Sequence, residues 1–486
     1  MREPTRKPSR LLVYCLAATF FLLPLFLLPN ASEYGYTKTI LAIVLTSILF
    51  IVWGIEGWRH GARAVRIPWL TWPFLALVAA GLFSLLGAMN GRFVVQSLVL
   101  LITFFVLFLL VANAVRDKRD VAVLLGSLLA SVSLVSLYGL LQYLGLARGP
   151  GDGVGLGQVI STLGNKEYIA GLLAYALVPA VILLVRLRSV ALRVLVIALI
   201  AFNFGSLMLF EQTGANVALA VAVLAVVVGI VIFRPIAPLR RARLWLIALL
   251  AVLAFAYLVE APSGPLNSVV GLSAESGSWI SQLWARNSGA VRAWDWWVGI
   301  EMWKSSPWVG IGLGNYKLQF IPFKAQFLST PAGAQYDFHI ARAAQAHNEY
   351  VQVLAELGIL GALALAALLA TLAVSMILRL VRNRDEDDRL DLLLLAGGLV
   401  ALVVHAFVSF PAHLPASSLA AILLLALCHS RAYGRDATRE LTLRGRGLRA
   451  TVVAGAVVGI VVSTIAVRDL AADILMREGS LRLKLG

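Results

Sequence analysis

Thirteen apolar runs recur along the chain, at about 11–28, 37–55, 69–88, 93–114, 120–145, 168–185, 189–210, 214–233, 243–260, 349–378, 390–410, 414–430 and 450–468. Most reach or approach the roughly 18 residues that mark a bilayer-crossing helix. Short basic or polar stretches separate them. The pattern predicts an all-α polytopic membrane protein with about 12–13 transmembrane helices. Two segments break the rhythm. "LARGPGDGVGLGQVISTLGNKEY" (146–168) is glycine-rich and shows neither the helical nor the alternating period. The second, about 261–348, is the longest non-membrane stretch. The chain accordingly divides into N-terminal transmembrane helices (1–260, about nine), a large outer loop (261–348), C-terminal transmembrane helices (349–430), and a basic loop, extra span and short tail (431–486).

A long ordered loop in a compact protein is usually functional. This one is aromatic rather than polar and repetitive, which argues for order. It holds seven of the twelve tryptophans: Trp279, Trp284, Trp294, Trp296, Trp297, Trp303 and Trp308. An interfacial aromatic belt accounts for any single one equally well; seven together, beside Arg and His, suit a surface for sugar rings. Within the loop, "AVRAWDWWVGIEMWKSSPWVGIGLGNY" predicts a short amphipathic helix. Trp296, Ile300 and Trp303 form an apolar stripe suited to the bilayer surface. Pro307 stops the helix. Gly310, Gly312 and Gly314 then let the backbone approach something closely, or make a tight turn.

Composition supports the membrane reading. Of 486 residues, 60% are hydrophobic and 14% charged, with a mean hydropathy of +0.87. The net charge of +16 would suit nucleic acid if it were clustered on a soluble face. With a cytoplasmic N-terminus, however, 27 of the 41 Lys and Arg fall in the short inner segments. That bias sets orientation, so the excess reflects topology and attraction to anionic lipid. Cys15 and Cys428 both lie in apolar spans, and no Cys/His spacing resembles a disulfide framework or a zinc site. The basic N-terminus and first apolar run resemble a signal peptide, but a dozen further spans favour a first anchor helix.

The polar groups at the start of the tenth run need a reason. In "AHNEYVQVLAELGILGALALAALLA" (346–370), Glu349, Gln352 and Glu356 fall on one helical face. A carboxylate within a span costs about 2.5–3.5 kcal/mol or more unless paired, so a hydrogen-bonded clamp to neighbouring elements is expected. His347 sits just outside, at the water boundary. A lone histidine is more often structural; beside an aromatic loop above a hydrophobic pocket it becomes a candidate base.

"AHNEYVQVLAELGILG" resembles the signature of the O-antigen ligase and O-antigen polymerase superfamily, whose long outer loop ends in His-Asn and runs into a helix containing Glu-x-Gly. "RAWDWWVGIEMWKSSPWVGIGLGNY" is similar to the pattern that precedes it. "STLGNKEYIAGLLA" resembles the family's Gly-Asn segment, and "HAFVSFPAHLPASSLAAILLL" its penultimate-helix turn. The resemblance covers most of 160–430. It implies a GT-C-like architecture and a metal-independent, inverting glycosyltransferase without cofactors, working on the periplasmic face of the bacterial inner membrane. The donor would be a glycan on undecaprenyl diphosphate, and the acceptor a lipid A core or a growing chain. His347 would be the general base and Arg292 would hold the diphosphate, with Asn348 and Trp296 beside them; guanidinium suits a diphosphate that gathers charge as it leaves. Without the resemblance, Arg292 reads as an i,i+3 ion pair with Asp295.

One departure stands out. The family opens the helix after the seventh span with Ser-Arg-Gly-Ala, whereas this chain has "LFEQTGANVAL", with Thr213 at the arginine position and Glu211 nearby. Lys166, Arg148 and Arg286 are the alternative cations. The last span and its tail also exceed the family's usual twelve helices. A polymerase with a lipid-linked glycan acceptor fits the same landmarks. A lipid-linked glycan flippase stands further back, since the polar chemistry clusters at the outer surface rather than along a mid-membrane path.

Overall fold

The computed structural model describes residues 10–28, 31, 33–149, 158–260, 287–331, 343–433 and 439–485. Among these, ten helices are long and apolar enough to cross a membrane, and two shorter apolar helices lie at Leu11–Leu25 and Thr71–Gly87. The protein is an all-α polytopic membrane protein. The expected span at 390–410 is also helical, but it opens with a polar first turn. Helices dominate because lipid offers backbone groups no hydrogen bonds, so each crossing segment must satisfy its own.

The described residues form two compact units. The first comprises residues 1–68, 103–166 and 422–486. It contains α1 (Leu11–Leu25), α2 (Tyr34–Arg59), α5 (Lys118–Tyr143) and α15 (Gly445–Leu485). Helix α1 packs on α5 and α2, and α2 packs along α15. The last contact depends on small residues. Gly455 faces Phe50, Gly459 faces Ser47, and Gly54 faces Val452. Gly455 and Gly459 form a GxxxG spacing, which lets two membrane helices approach closely. Arg10 forms an ion pair with Asp117 and another with Asp120 at 3.4 Å.

Two strands in this unit were not expected: β1 (Ala62–Ile67) and β2 (Arg439–Arg444). They pair antiparallel with Ala62 opposite Arg444 and Ile67 opposite Arg439. Both fall in segments that read from sequence as inner loops. Each is six residues long, too short for its alternation to stand out, and the pairing joins segments remote in sequence.

The second unit comprises residues 69–102 and 167–421. Its helices are α3 (Thr71–Phe83), most of α6 (Lys166–Arg186), α7 (Val190–Leu209), α8 (Thr213–Phe233), α9 (Ile236–Glu260), α10 (Asn287–Ser305), α11 (Tyr316–Leu328), α12 (Glu349–Arg382) and α13 (Glu386–His405). Helices α4 (Gly91–Ala114) and α14 (Pro415–Cys428) have residues in both units. Within the second unit α8 packs on α13, α7 on α9, and both α3 and α10 on α12. Arg186 ties α6 to α13 through Asp391 at 2.8 Å and Asp387 at 3.0 Å.

Helix α10 forms where the sequence predicts a short helix, but its buried face differs from the expected stripe. Trp294, Val298 and Met302 are the residues driven into the protein, against Ile311, Tyr316, Phe320, Phe327, Ala346 and Ala355. Trp296, Ile300 and Trp303 are only half-buried. Both rows are apolar, so helical periodicity alone offered two candidate faces; packing against α11 and α12 selects one.

Candidate active site

The site grows from a break in α12. Gly358 has φ 63° and ψ −161°, a region essentially restricted to glycine. The break removes intrahelical partners from the backbone around it, and the segment after α10 supplies replacements. Ile311 N donates to Ala355 O at 2.9 Å and Gly312 N to Glu356 O at 3.1 Å. In return, Ile359 N donates to Pro307 O at 2.8 Å and Leu360 N to Trp308 O at 3.2 Å. Gly310 and Gly312 both have positive φ. A Cβ on Gly310 would lie 2.5 Å from the backbone N of Leu357. The glycine turn therefore permits a close backbone approach to α12.

Glu356 closes the same junction from its side chain. It is 2% exposed and accepts from Gly314 N at 2.8 Å and Tyr316 N at 3.1 Å. Gln352 donates to Glu356 at 3.2 Å, accepts from Ala346 N at 2.7 Å, and is hydrogen-bonded to Gln345. Glu349 accepts from Ala412 N at 3.0 Å and lies 3.0 Å from His413 Nδ1. All three polar residues on this face hold other segments in place. His413, for which the sequence offered no partner, is part of their network. Burial disfavours its charge, but Glu349, aided by Glu356, outweighs that and raises its pKa to about 10.

This scaffold presents His347. Asn348 caps α12, accepting from Tyr350 N at 3.0 Å and Val351 N at 3.1 Å. His347, the residue before the cap, has φ 51°, the left-handed region, which turns the chain sharply into the helix. Its Nδ1 lies 3.1 Å from Asp295 Oδ2, and its side chain is 31% exposed against 1% for Asp295. Phe410 packs edge-on to the imidazole at 5.1 Å between centroids. Burial pushes the Asp295 carboxyl upward, opposed by the hydrogen bond and charge of His347 and then by Arg292 and Lys324.

Arg292 lies one turn before Asp295 on α10, but its ion pair is with Glu167 of α6, at 3.4 Å. The guanidinium is 28% exposed. The expected i,i+3 pairing with Asp295 thus gives way to two longer-range pairings, Arg292 with Glu167 and Asp295 with His347. Asp295 and Glu167 were not singled out as site residues. The available signal was a carboxylate within the aromatic "WDWW", since a buried acid needs a partner.

The other candidates are distributed as follows. Trp296 is half-buried on α10, and Lys166 is the first residue of α6, immediately before Glu167. The Asn348 side-chain oxygen is occupied by helix capping. Arg148 is exposed, and its carbonyl accepts from Tyr138 Oη at 2.9 Å. Arg286 lies outside the described residues. Thr213 opens α8. Beside it, Gly214 faces His405, which is hydrogen-bonded to Tyr175 Oη at 2.5 Å deep in the unit.

Fold and site together define a polytopic membrane protein with an arginine and a histidine–carboxylate pair presented by α10 and the α12 entrance. Residues 206–366, from the end of α7 into α12, match the family model described as O-Antigen ligase. That stretch is thus similar to the O-antigen ligase family, which supports a membrane protein of the O-antigen ligase and polymerase superfamily. The family implies a glycosyltransferase-like enzyme acting on lipid-linked glycans and, with the apolar helices, a multi-pass setting in the bacterial inner membrane. A comparison with curated proteins finds no match.

Proposed function

We propose that this protein transfers a glycan from undecaprenyl diphosphate to a hydroxyl of the lipid A core, at the periplasmic face of the membrane. The observation that carries the reading is the arrangement on α10: Arg292 and Asp295 are one turn apart, and Asp295 engages His347. An imidazole and a guanidinium are thereby linked to the same helix turn. His347 takes the proton of the acceptor hydroxyl as its oxygen bonds to the anomeric carbon. The bond from that carbon to the diphosphate breaks, and undecaprenyl diphosphate leaves with the electron pair. Arg292 binds the negative charge that builds on the leaving group, a role its planar fork suits. Residues 261–348 form the outer catalytic loop in this assignment, between helices 1–260 and 349–430, with 431–486 as an appendage. Trp296 supplies a face for a sugar ring, and Lys166 and Arg286 are the additional cations in place of an arginine at Thr213.

The test uses purified protein in detergent with radiolabelled glycan on undecaprenyl diphosphate and rough-type lipopolysaccharide as acceptor. Neither nucleotide nor ion gradient is added. Label should move to lipopolysaccharide, and His347→Ala should cut the rate roughly 100- to 10,000-fold while leaving donor binding intact. Label extending the lipid-linked glycan instead would assign the chain as a polymerase. Transport of the donor without any transfer would replace the enzyme reading with a flippase.

A further inference from the structure

We infer that Asp295 is a positioning residue for His347: its buried carboxylate holds the imidazole with Nδ1 protonated, leaving Nε2 as the proton acceptor. This rests on the assignment of His347 as the base. Three observations carry it. Asp295 Oδ2 is 3.1 Å from Nδ1, and an ionised carboxylate only accepts, so Nδ1–H must donate and Nε2 keeps its lone pair. The carboxylate is 1% exposed while the imidazole is 31% exposed; one partner is fixed in the protein and the other faces outward. Asp295 Oδ1 is buried and makes no hydrogen bond among the described residues, so no second donor there competes with the imidazole.

The surroundings favour this arrangement. Tyr316 Oη donates to the Asp295 backbone carbonyl at 2.7 Å, fixing the turn of α10 that carries the carboxylate. Trp294 and Val298, on the same helix, anchor it in the apolar cluster. Phe410 packs edge-on against the ring of His347, restricting its rotation. Arg292 and Lys324 supply positive charge that acts on the carboxylate, and His347 supplies its hydrogen bond. When Nε2 takes the acceptor's proton, the imidazolium forms beside a fixed anion, so no reorganisation is needed at that moment. The proton moves from the acceptor hydroxyl to Nε2, and Asp295 remains ionised throughout.

A merely structural carboxylate would predict lost protein rather than lost turnover, so the experiment separates the two. Asp295→Asn, Asp295→Glu, His347→Ala and the Asp295→Asn/His347→Ala double variant are purified and assayed with the undecaprenyl-diphosphate-linked radiolabelled glycan and rough-type lipopolysaccharide. Asp295→Asn is expected to lower kcat about 100- to 10,000-fold, with KM for the donor changed less than about threefold. Asp295→Glu should recover part of that loss. The double variant should be no slower than His347→Ala alone, because the two act as one unit. Near-normal kcat in Asp295→Asn with a dead His347→Ala would overturn the positioning role and leave the base intact. Additive losses in the double variant would also overturn it. Full activity in His347→Ala would instead remove the base, and the inference with it. If Asp295→Asn does not accumulate, the partial recovery expected of Asp295→Glu decides: its kcat must fall with an unchanged KM, and wild-type kcat in that variant rejects the proposal.

Discussion

Removing the Glu356 side chain should open the glycine turn without unfolding the protein. Its carboxylate is 2% exposed and accepts from the backbone N–H groups of Gly314 and Tyr316 and from the Gln352 amide. In Glu356→Ala both backbone donors lose their acceptor in a site closed to water. Each unsatisfied buried donor costs about 1–3 kcal/mol. The variant also escapes the desolvation cost of a buried carboxylate, which offsets part of this. A net loss of about 2–4 kcal/mol remains, a factor of roughly 30 to 1000 in the local opening equilibrium. Hydrogen–deuterium exchange measured by mass spectrometry in detergent reads that factor directly, as faster exchange over 312–318. Glu356→Gln should fall between the two, since its amide keeps one acceptor oxygen but turns donors toward a donor. Glu301→Ala is the control, because Glu301 pairs with exposed Lys304 on the surface of α10. Unchanged exchange at 312–318 in Glu356→Ala would refute the clamp.

Gly358→Ala should destabilise the same junction by about 3–5 kcal/mol, combining a backbone region closed to alanine with loss of the bonds from Ile359 and Leu360; normal expression and thermal stability would contradict this. Arg292→Lys should slow transfer about 10- to 1000-fold in the labelled-glycan assay, because an ammonium cannot grip a leaving diphosphate bidentately; wild-type turnover would separate Arg292 from the leaving group. Sidedness is open to cysteine labelling of intact spheroplasts: with Cys15 and Cys428 replaced, a cysteine at Ser329 should react and one at Asn383 should not, and the reverse pattern would invert the orientation. His413 should stabilise the protein in a pH-dependent way. With a folded pKa of about 10 against an unfolded value near 6.5, its contribution is complete below about pH 6.5 and is lost as pH rises through 10. The thermal destabilisation caused by His413→Gln should accordingly shrink between pH 7 and pH 10; a pH-independent difference would count against the imidazolium.

The sequence by itself determined the apolar helices, though not α11 in the outer loop. Long apolar runs leave a bilayer-embedded backbone no alternative, so the thirteen segments were legible from hydropathy alone, as was the polar face of Glu349, Gln352 and Glu356. His347 was also visible, because a titratable group at the mouth of an apolar helix stands out against its surroundings. Which groups those residues would meet was decided by tertiary structure. Local spacing pairs Arg292 with Asp295, yet packing brings Glu167 from 125 residues away to the arginine and His347 from 52 residues away to the aspartate. Local periodicity likewise could not choose between the two apolar faces of α10, and gave no sign that the turn at 307–312 would fill the gap in α12 at Gly358. The physical reason is the same in each case. An apolar run selects its own conformation, whereas a buried charge or a free backbone donor is settled only by the partner that packing places within about 3 Å.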